Sequence, residues 1–228
     1  MKFFIITAAA LLTAAPLFAQ ETGATEARGY VTGLGGFSVS LGNKTGTTLI
    51  EGGARIAPHV MVFGSLGHFG NLQSELTPTL DAATTSLATN QGLDVTATGT
   101  LPATYVLGGL RVEAPLGRHL LPYFFGGLGM ARLDPSARFT YSDGLMPDGS
   151  TPDPGTDITS SIASAGTFTD PAPSNARMVT FGGGLQVPLA RHWAVDAGYR
   201  FARIGADTSL STSPLNTNGM AFGFGYRF

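Results

Sequence analysis

The final nine residues of the chain alternate strictly in character, and this pattern constrains the fold more than any other feature of the sequence. Large apolar side chains occupy every second position, and alanine, glycine or arginine fills the positions between them. The large residues are Met220, Phe222, Phe224, Tyr226 and Phe228. Because successive side chains of a strand point to opposite faces, the segment predicts a strand with one wholly apolar face and one small or charged face.

The first 19 residues predict a cleaved secretory signal peptide. Lys2 supplies a positive start, Phe3 to Leu12 is an uncharged apolar run, and the small residue Ala19 suits cleavage. The apolar run is shorter than the ~20 residues that a membrane-spanning helix needs, which disfavours a transmembrane anchor. The mature chain is therefore expected to begin at Gln20, with a short N-terminal segment over 20–27 ahead of the folded domain.

The composition fits a chain with a lipid-facing surface. Only 12% of the residues are charged, whereas a soluble domain usually carries about 25%. The formal net charge of −2 offers no basic excess for nucleic acid, and the absence of cysteine excludes disulfides and thiolate chemistry. Beyond the signal peptide, no segment is long and apolar enough for a transmembrane helix, so strands would have to span any membrane.

Eight segments have the character of β-strands, and the connections between them differ sharply in length. The predicted strands are 29–40, 47–57, 59–69, 103–114, 119–132, 177–188, 192–203 and 217–228. Short connections alternate with longer ones, and the connections near 70–102 and 133–176 are very long. This alternation is typical of an antiparallel up-and-down barrel in an outer membrane, with short periplasmic turns and long extracellular loops. A soluble β-sandwich has no reason to sort its connections in this way.

Charged residues fall on the face opposite the apolar one, which would line the interior of such a barrel. The predicted lumen network consists of Glu51, Arg55, Arg111, Glu113, Gln186, Asp196, Arg200 and Arg227. An eight-stranded barrel is just wide enough to be filled by its own side chains, and buried charges must be paired. We therefore expect a salt-bridge network that plugs a lumen of polar and small residues. The alternative is an ion-conducting path, and the register of the third and fifth strands is left open.

Metal and enzyme chemistry receive little support from the sequence. His59, His119 and His192 lie at predicted turns, but their strands would spread them around the barrel, so no metal site or other cofactor is predicted. Ser65 and His68 are three positions apart and should point to opposite faces of their strand, which disfavours a lipid-modifying Ser–His enzyme.

The two long connections are expected to be solvated surface loops. Residues 133–176 contain six aspartates, but their spacing does not match a calcium-binding loop. Phe139 and Tyr141, at the start of this connection, are interpreted as an extension of the fifth strand above the membrane. If the protein binds an extracellular ligand, these loops are the expected place.

The signal peptide, eight strands, sorted connections and terminal Tyr226-Arg227-Phe228 resemble the small eight-stranded barrels of Gram-negative outer membranes. The nearest type is the membrane domain of outer-membrane protein A and its porin-like relatives, and the resemblance covers about 28–228. It implies contact with outer-membrane lipid and insertion by the barrel-assembly machinery. That machinery recognises a final strand ending in an aromatic residue, and the matching residues here are Phe222, Phe224, Tyr226 and Phe228.

The resemblance specifies architecture better than activity. The sequence stops at the barrel, so the cell-wall-binding domain of outer-membrane protein A is not expected. The expected function is a structural or surface-interaction role without enzymatic activity. The alternatives are a narrow pore for ions or small solutes and, less favoured, a lipid-modifying enzyme.

Overall fold

Ten strands and two helices form within the residues that this computed structural model describes, which are 27–40, 43–72, 76–114, 116, 120–146, 148–166, 168–169, 172–205 and 214–228. The strands are β1 Gly29–Ser40, β2 Asn43–Ala57, β3 Val60–Phe69, β4 Asp94–Thr100, β5 Ala103–Glu113, β6 Leu121–Leu133, β7 Ser136–Asp143, β8 Ser174–Pro188, β9 Trp193–Ile204 and β10 Leu215–Arg227. The helices are α1 Leu76–Gln91 and α2 Thr159–Ser164. The predicted signal peptide lies outside the described residues.

Eight of these strands close into an antiparallel barrel, which confirms the predicted fold. Their order is β1, β10, β9, β8, β6, β5, β3 and β2, and β1 pairs with both β10 and β2. The predicted strands are all present, and the largest differences in their bounds are the earlier starts of β2 and β8. Alternation along each strand directs one set of side chains into the lumen and the other outward, as Glu51 and its exposed neighbour Ile50 illustrate.

The two ends of the barrel differ in their connections. At one end, here called the turn end, only a few residues join β2 to β3, β5 to β6 and β8 to β9, and β1 and β10 meet there through hydrogen bonds between Gly29 and Phe228. The opposite end, here called the loop end, carries both very long connections. One expectation is wrong here: the β1–β2 connection at the loop end is short, because the two strands remain paired as far as Ser40 and Asn43.

A folded unit, here called the cap, stands at the loop end and consists of α1, β4, β7, α2 and the segments that join them. Strands β4 and β7 pair with each other and continue the β5–β6 hairpin beyond the barrel. Ala103 pairs with Leu133 at the top of the barrel, and Thr100 pairs with Ser136 just above it. The predicted extension of the fifth strand beyond the barrel is therefore present, although it forms a separate strand.

The cap has its own hydrophobic core, which corrects the expectation of solvated loops. Its buried residues are Leu80, Leu87, Leu93, Val95, Ala137, Phe139, Tyr141, Met146, Ile158, Ile162 and Phe168. Helix α1 contributes Leu80 and Leu87, which lie seven positions apart on one helical face. The helix ends at Gln91, and Gly92 follows it in the left-handed conformation at a φ of 63°. Neither helix of the described chain is long and apolar enough to cross a membrane.

Candidate functional site

All eight residues of the predicted lumen network face the interior of the barrel. Glu51, Arg111, Glu113, Gln186 and Asp196 are buried, whereas Arg55, Arg200 and Arg227 are partly exposed. The strands β2, β5, β8, β9 and β10 supply them, mostly from their turn-end halves. The structure therefore brings together, in one half of the lumen, side chains that are far apart in the sequence.

Arg111 is the centre of this network. Its guanidinium lies 3.7 Å from Glu51 Oε1, 3.2 Å from Glu113 Oε1 and 3.7 Å from Asp196 Oδ2. The side chain is only 1% exposed. Three carboxylates from three strands thus converge on one buried cation, which is the kind of pairing that buried charges require.

The other arginines contact the same carboxylates from outside this centre. Arg200 donates a 2.5 Å hydrogen bond to Glu51 Oε2, and Arg227 donates a 3.1 Å hydrogen bond to Glu113 Oε2. Arg55 approaches Glu113 Oε2 at 3.7 Å. Glu113 is therefore shared by three arginines and Glu51 by two, so the network is continuous across the bore rather than a set of separate pairs.

Two tyrosines complete the network, and sequence reasoning did not include them. The hydroxyl of Tyr30 donates to Glu51 Oε1 at 2.8 Å, and the hydroxyl of Tyr123 donates to Asp196 Oδ1 at 2.5 Å. Their rings also flank Arg111, whose guanidinium carbon lies 4.6 Å from the Tyr30 ring centre and 3.7 Å from that of Tyr123. Each tyrosine thus contributes both a hydrogen bond and a cation–π contact.

Glycines on neighbouring strands make room for the aromatic rings in the lumen. Tyr30 is paired with Gly53, and a Cβ atom on that glycine would lie 2.5 Å from the tyrosine ring. In the same way, Phe125 is paired with Gly182, where a Cβ atom would lie 2.7 Å from its ring. An aromatic ring lying flat across a cross-strand glycine is a recognised way of fixing strand register and curvature.

Large apolar side chains also lie inside the barrel, which corrects the expectation of an interior lined only by polar and small residues. Strand β3 turns Met61, Phe63 and Phe69 inward, and β6 turns Phe125 and Leu133 inward. These are the third and fifth predicted strands, whose register the sequence leaves open. Their side chains, with those of β5, β8, β9 and β10, form a continuous buried hydrophobic cluster. Buried serines and threonines lie among them toward the loop end, where a small cavity is lined in part by Thr47, Tyr105, Thr180 and Arg200.

The charged side chains of the network lie across the bore and are paired with one another. Four arginines and three carboxylates make up this set, and large apolar side chains of the barrel interior such as Phe125 lie beside it. Some polar atoms of the network lack a hydrogen-bond partner among the described residues, including Arg111 Nε and Gln186 Oε1. The network is therefore densely charged, but not every donor and acceptor in it is satisfied.

Among the described residues, the candidate enzyme and metal residues are not brought together. Ser65 is buried in the lumen, whereas His68 lies on the exposed face and is within hydrogen-bond distance of Thr104, at 3.1 Å. The two side chains therefore point to opposite faces, as predicted. Within the described ranges, no three His, Cys, Asp or Glu side chains are grouped so that they could hold a metal ion. His119 lies outside those ranges.

The alternating residues of β10 face outward, as predicted. Exposed on this strand and just after it are Met220, Phe222, Phe224, Tyr226 and Phe228. At the turn end, the Tyr226 ring stacks on His192 at 5.3 Å and meets Trp193 edge-on at 5.5 Å. Such a group of aromatic rings is typical of the girdle at the boundary between lipid and water.

Comparison with known proteins gives one family and several similar barrels. Residues 5–228 match the family model described as outer membrane protein beta-barrel domain. The fold is similar to Neisserial surface protein A, with a TM-score of 0.52 and 12% identity over 88% of this chain and 96% of that one. The N-terminal barrel of OprF from Pseudomonas aeruginosa has a TM-score of 0.44 at 11% identity, covering 89% of this chain and 100% of that one.

The attachment invasion locus protein Ail of Yersinia pestis has a TM-score of 0.44 at 14% identity, covering 88% of this chain and 96% of that chain. No curated protein matches the sequence significantly. The family match covers nearly the whole chain and agrees with the closed eight-stranded barrel, and membership places the protein in the bacterial outer membrane. The chain belongs to the outer membrane protein β-barrel domain family.

Proposed function

We propose that the protein is an integral outer-membrane barrel with a structural or surface-interaction role, its lumen closed by the charged network and its cap displayed outside the cell. The observation that carries the proposal is the convergence of Glu51, Glu113 and Asp196 on the buried Arg111. A solute path would need to break several of these contacts at once. Large apolar side chains of the interior, such as Phe63 and Phe125, fill further space in the lumen beside the network.

The cap supports the surface-interaction part of the proposal. It is held by a hydrophobic core of its own and by a ribbon that continues β5 and β6. An ordered unit can present a fixed surface to a partner without the entropy cost of ordering a flexible loop on binding. Its position at the end with the long connections is the extracellular side in barrels of this type.

Conductance in a planar lipid bilayer tests the closed lumen against the narrow pore. The full chain should give no current steps above the lipid baseline, while a known porin measured in the same bilayer provides the positive control. Reproducible single-channel steps from the pure protein would replace the proposal with the pore.

A capless variant tests the role of the cap. Phe69 pairs with Ala103, and Leu133 pairs with Ser174, so short turns can join β3 to β5 and β6 to β8 once 72–101 and 134–173 are removed. A deletion strain carrying the capless barrel should regain resistance to detergent if the barrel has the structural role. Cells with the full chain, but not the capless one, should bind members of a panel of immobilised glycans and proteins if the cap interacts with partners.

A structural or surface-interaction role would be contradicted if the capless barrel did not restore detergent resistance and cells with the full chain bound no member of the panel. A change in the lipid species of the deletion strain, reversed by the full chain, would instead indicate a lipid-modifying enzyme. Because heat-dependent gel mobility reports barrel folding, it should be checked for the capless variant before either outcome is interpreted.

We further propose that the outward residues of β10, Phe222, Phe224, Tyr226 and Phe228, form the signal read by the barrel-assembly machinery. The support is their shared face and exposure at the seam where β10 meets β1. Phe228→Ala should slow assembly in cells, whereas refolding of the purified variant into detergent should proceed as in wild type. Equal slowing in both settings would indicate a purely structural role for the residue.

A further inference from the structure

Three arginines lie on the outer surface of the barrel near the loop end, on the neighbouring strands β6, β8 and β9. They are Arg132, Arg177 and Arg203, here called the arginine row, and all three are exposed. Outward-facing arginine is unusual on a membrane-spanning barrel, because a charge on the lipid face is costly except near the edge of the hydrocarbon region.

The strand register makes the three arginines neighbours. Arg132 pairs with Asn175 of β8, which is two positions before Arg177 on the same face. Arg203 pairs with Val179, which is two positions after Arg177 on that face. Each adjacent pair of arginines is therefore diagonal across two strands, with a separation of roughly 7–8 Å that long side chains span easily.

The row marks the boundary of the apolar belt. The next outward residues toward the turn end are Met130 and Leu128 on β6, Val179 and Phe181 on β8, and Phe201 and Tyr199 on β9. Arginine side chains at such a boundary extend their charged ends to the level of the lipid headgroups while their stems lie along the apolar surface. The arginine row is thus positioned against headgroups rather than against acyl chains.

Within the part of the chain that the structure describes, two of the three arginines have no carboxylate beside them. Arg132 is paired with Asp134, its Nε lying 3.0 Å from Oδ1. Among the described residues, no carboxylate lies within ion-pair distance of Arg177 or Arg203. The lumen arginines, by contrast, all contact Glu51, Glu113 or Asp196.

We propose that the arginine row binds the phosphate groups of a phosphorylated lipid headgroup in the membrane leaflet at the loop end. A guanidinium presents two parallel N–H groups that match phosphate oxygens, so two unpaired guanidiniums on one face suit an anionic phosphorylated headgroup better than a neutral one. Thr104, paired with Arg132, and Asn216, paired with Arg203, offer uncharged polar groups at the two ends of the row. The proposal needs the barrel to lie in a membrane, but it does not depend on the role of the cap.

The test compares the full chain with an Arg177→Gln/Arg203→Gln double variant in phosphatidylcholine nanodiscs that contain a small fraction of lipid A. Native mass spectrometry after release from the nanodisc counts the lipid A molecules that stay bound. One basic residue near an anionic surface is worth about a factor of five, so the double variant should bind lipid A about 30-fold more weakly. Fully dephosphorylated lipid A should bind equally weakly to both proteins.

Arg138→Gln is the matched control, because Arg138 is also an exposed arginine but lies on the cap, away from the row, and is paired with Asp157. It should bind lipid A as wild type does. Equal binding by wild type and the double variant, or equal binding of the two lipid forms, would overturn the proposal. So would an equal loss in Arg138→Gln, which would show only a general charge effect.

Two further measurements keep the result interpretable. A heat-dependent mobility shift should show that the double variant is folded; if it is not, Arg177→Gln alone should still weaken lipid A binding about fivefold. Inorganic phosphate should not displace lipid A at matched concentration. Displacement at that concentration would show a phosphate site rather than a lipid site.

Discussion

The hydroxyl of Tyr123 on β6 reaches over β8 to donate a 2.5 Å hydrogen bond to Asp196 on β9. This reach is possible because two glycines lie beneath the side chain. A Cβ atom would come within 2.7 Å of the tyrosine oxygen at Gly184 and within 2.6 Å at Gly198. The position of Tyr123 in the charged network therefore depends on two glycines, which have neither charge nor side chain.

The first prediction concerns Gly198→Ala, which should displace Tyr123 and weaken its hydrogen bond to Asp196. Overpacking a filled interior typically costs about 1–3 kcal/mol, so the unfolding midpoint in denaturant should fall. Gly33→Ala is the matched control, because a Cβ atom there meets nothing within 4 Å and the residue faces outward on β1. Equal midpoints for the two variants would show that Tyr123 is not held against Gly198.

The second prediction concerns Arg111→Met, which should leave Glu51, Glu113 and Asp196 clustered without their shared cation. Removing one partner from a buried ionic network costs about 3–5 kcal/mol, because uncompensated charge stays buried. Guanidinium unfolding of the barrel in lipid vesicles measures the loss.

Arg138→Met is the comparison variant for Arg111→Met, since the exposed pair that Arg138 forms with Asp157 should contribute at most about 1 kcal/mol. If the two arginine variants unfolded at the same denaturant concentration, the lumen network would not stabilise the barrel.

The third prediction concerns Phe224→Arg. Phe224 is 65% exposed on the outward face of β10, so the substitution places a charge against lipid. The cost should be about 2–4 kcal/mol near the midplane of the membrane and would appear as a loss of folded protein in refolding titrations. Phe224→Leu keeps the face apolar and should refold nearly as well as wild type. Full refolding of the arginine variant would contradict the outward assignment of this residue.

The fourth prediction concerns pH and the cap. The Thr159 hydroxyl donates to Asp157 Oδ1 at 2.6 Å and the Thr159 amide donates to the same oxygen at 3.1 Å, and with the nearby Arg138 they hold the pKa of Asp157 below its usual 3.8. A carboxyl with a lowered pKa stabilises the fold above its unfolded-state pKa, and this contribution is lost as pH falls through the folded-state pKa. The start of α2 should therefore loosen in acid.

An NMR titration of the side-chain carboxyl carbons checks this directly. Thr159→Val should raise the pKa of Asp157, while Asp148, whose pKa is lowered by its own hydrogen bonds from Ser150, should titrate as before. An Asp157 midpoint at or above 3.8 in wild type would refute the local account.

The lumen charges could be read from the sequence because their strands alternate cleanly. Glu51 and Arg55 on β2, or Asp196 and Arg200 on β9, stand between apolar neighbours, so the period of two assigns them to one face. Strand β6 gives no such signal. It carries Tyr123 and Phe125 inward and Phe124 outward, and when both faces are apolar the alternation disappears.

The hydrophobic core of the cap could not be predicted from the sequence, for a different reason. Leu93 and Val95 belong to one long connection, and Phe139 and Tyr141 belong to the other. Within each connection they are isolated apolar residues among Ser, Thr, Gly and Asp, a composition that indicates a loop. They form a core only because the β5–β6 hairpin brings the two connections side by side. The pairing of β4 with β7, which are far apart in the sequence, cannot be predicted from local composition.

The continuity of β4 with β5 and of β6 with β7 has a consequence for how variants of this protein can arise. Residues 94–143 contain both strands of the cap ribbon together with Arg111, Glu113 and Tyr123 of the lumen. A single genetic exchange of this segment between related barrels would therefore transfer part of the cap and part of the lumen network together. The carboxylates Glu51 and Asp196 lie outside it, so a recipient is compatible only if it already supplies acidic partners for the incoming arginine.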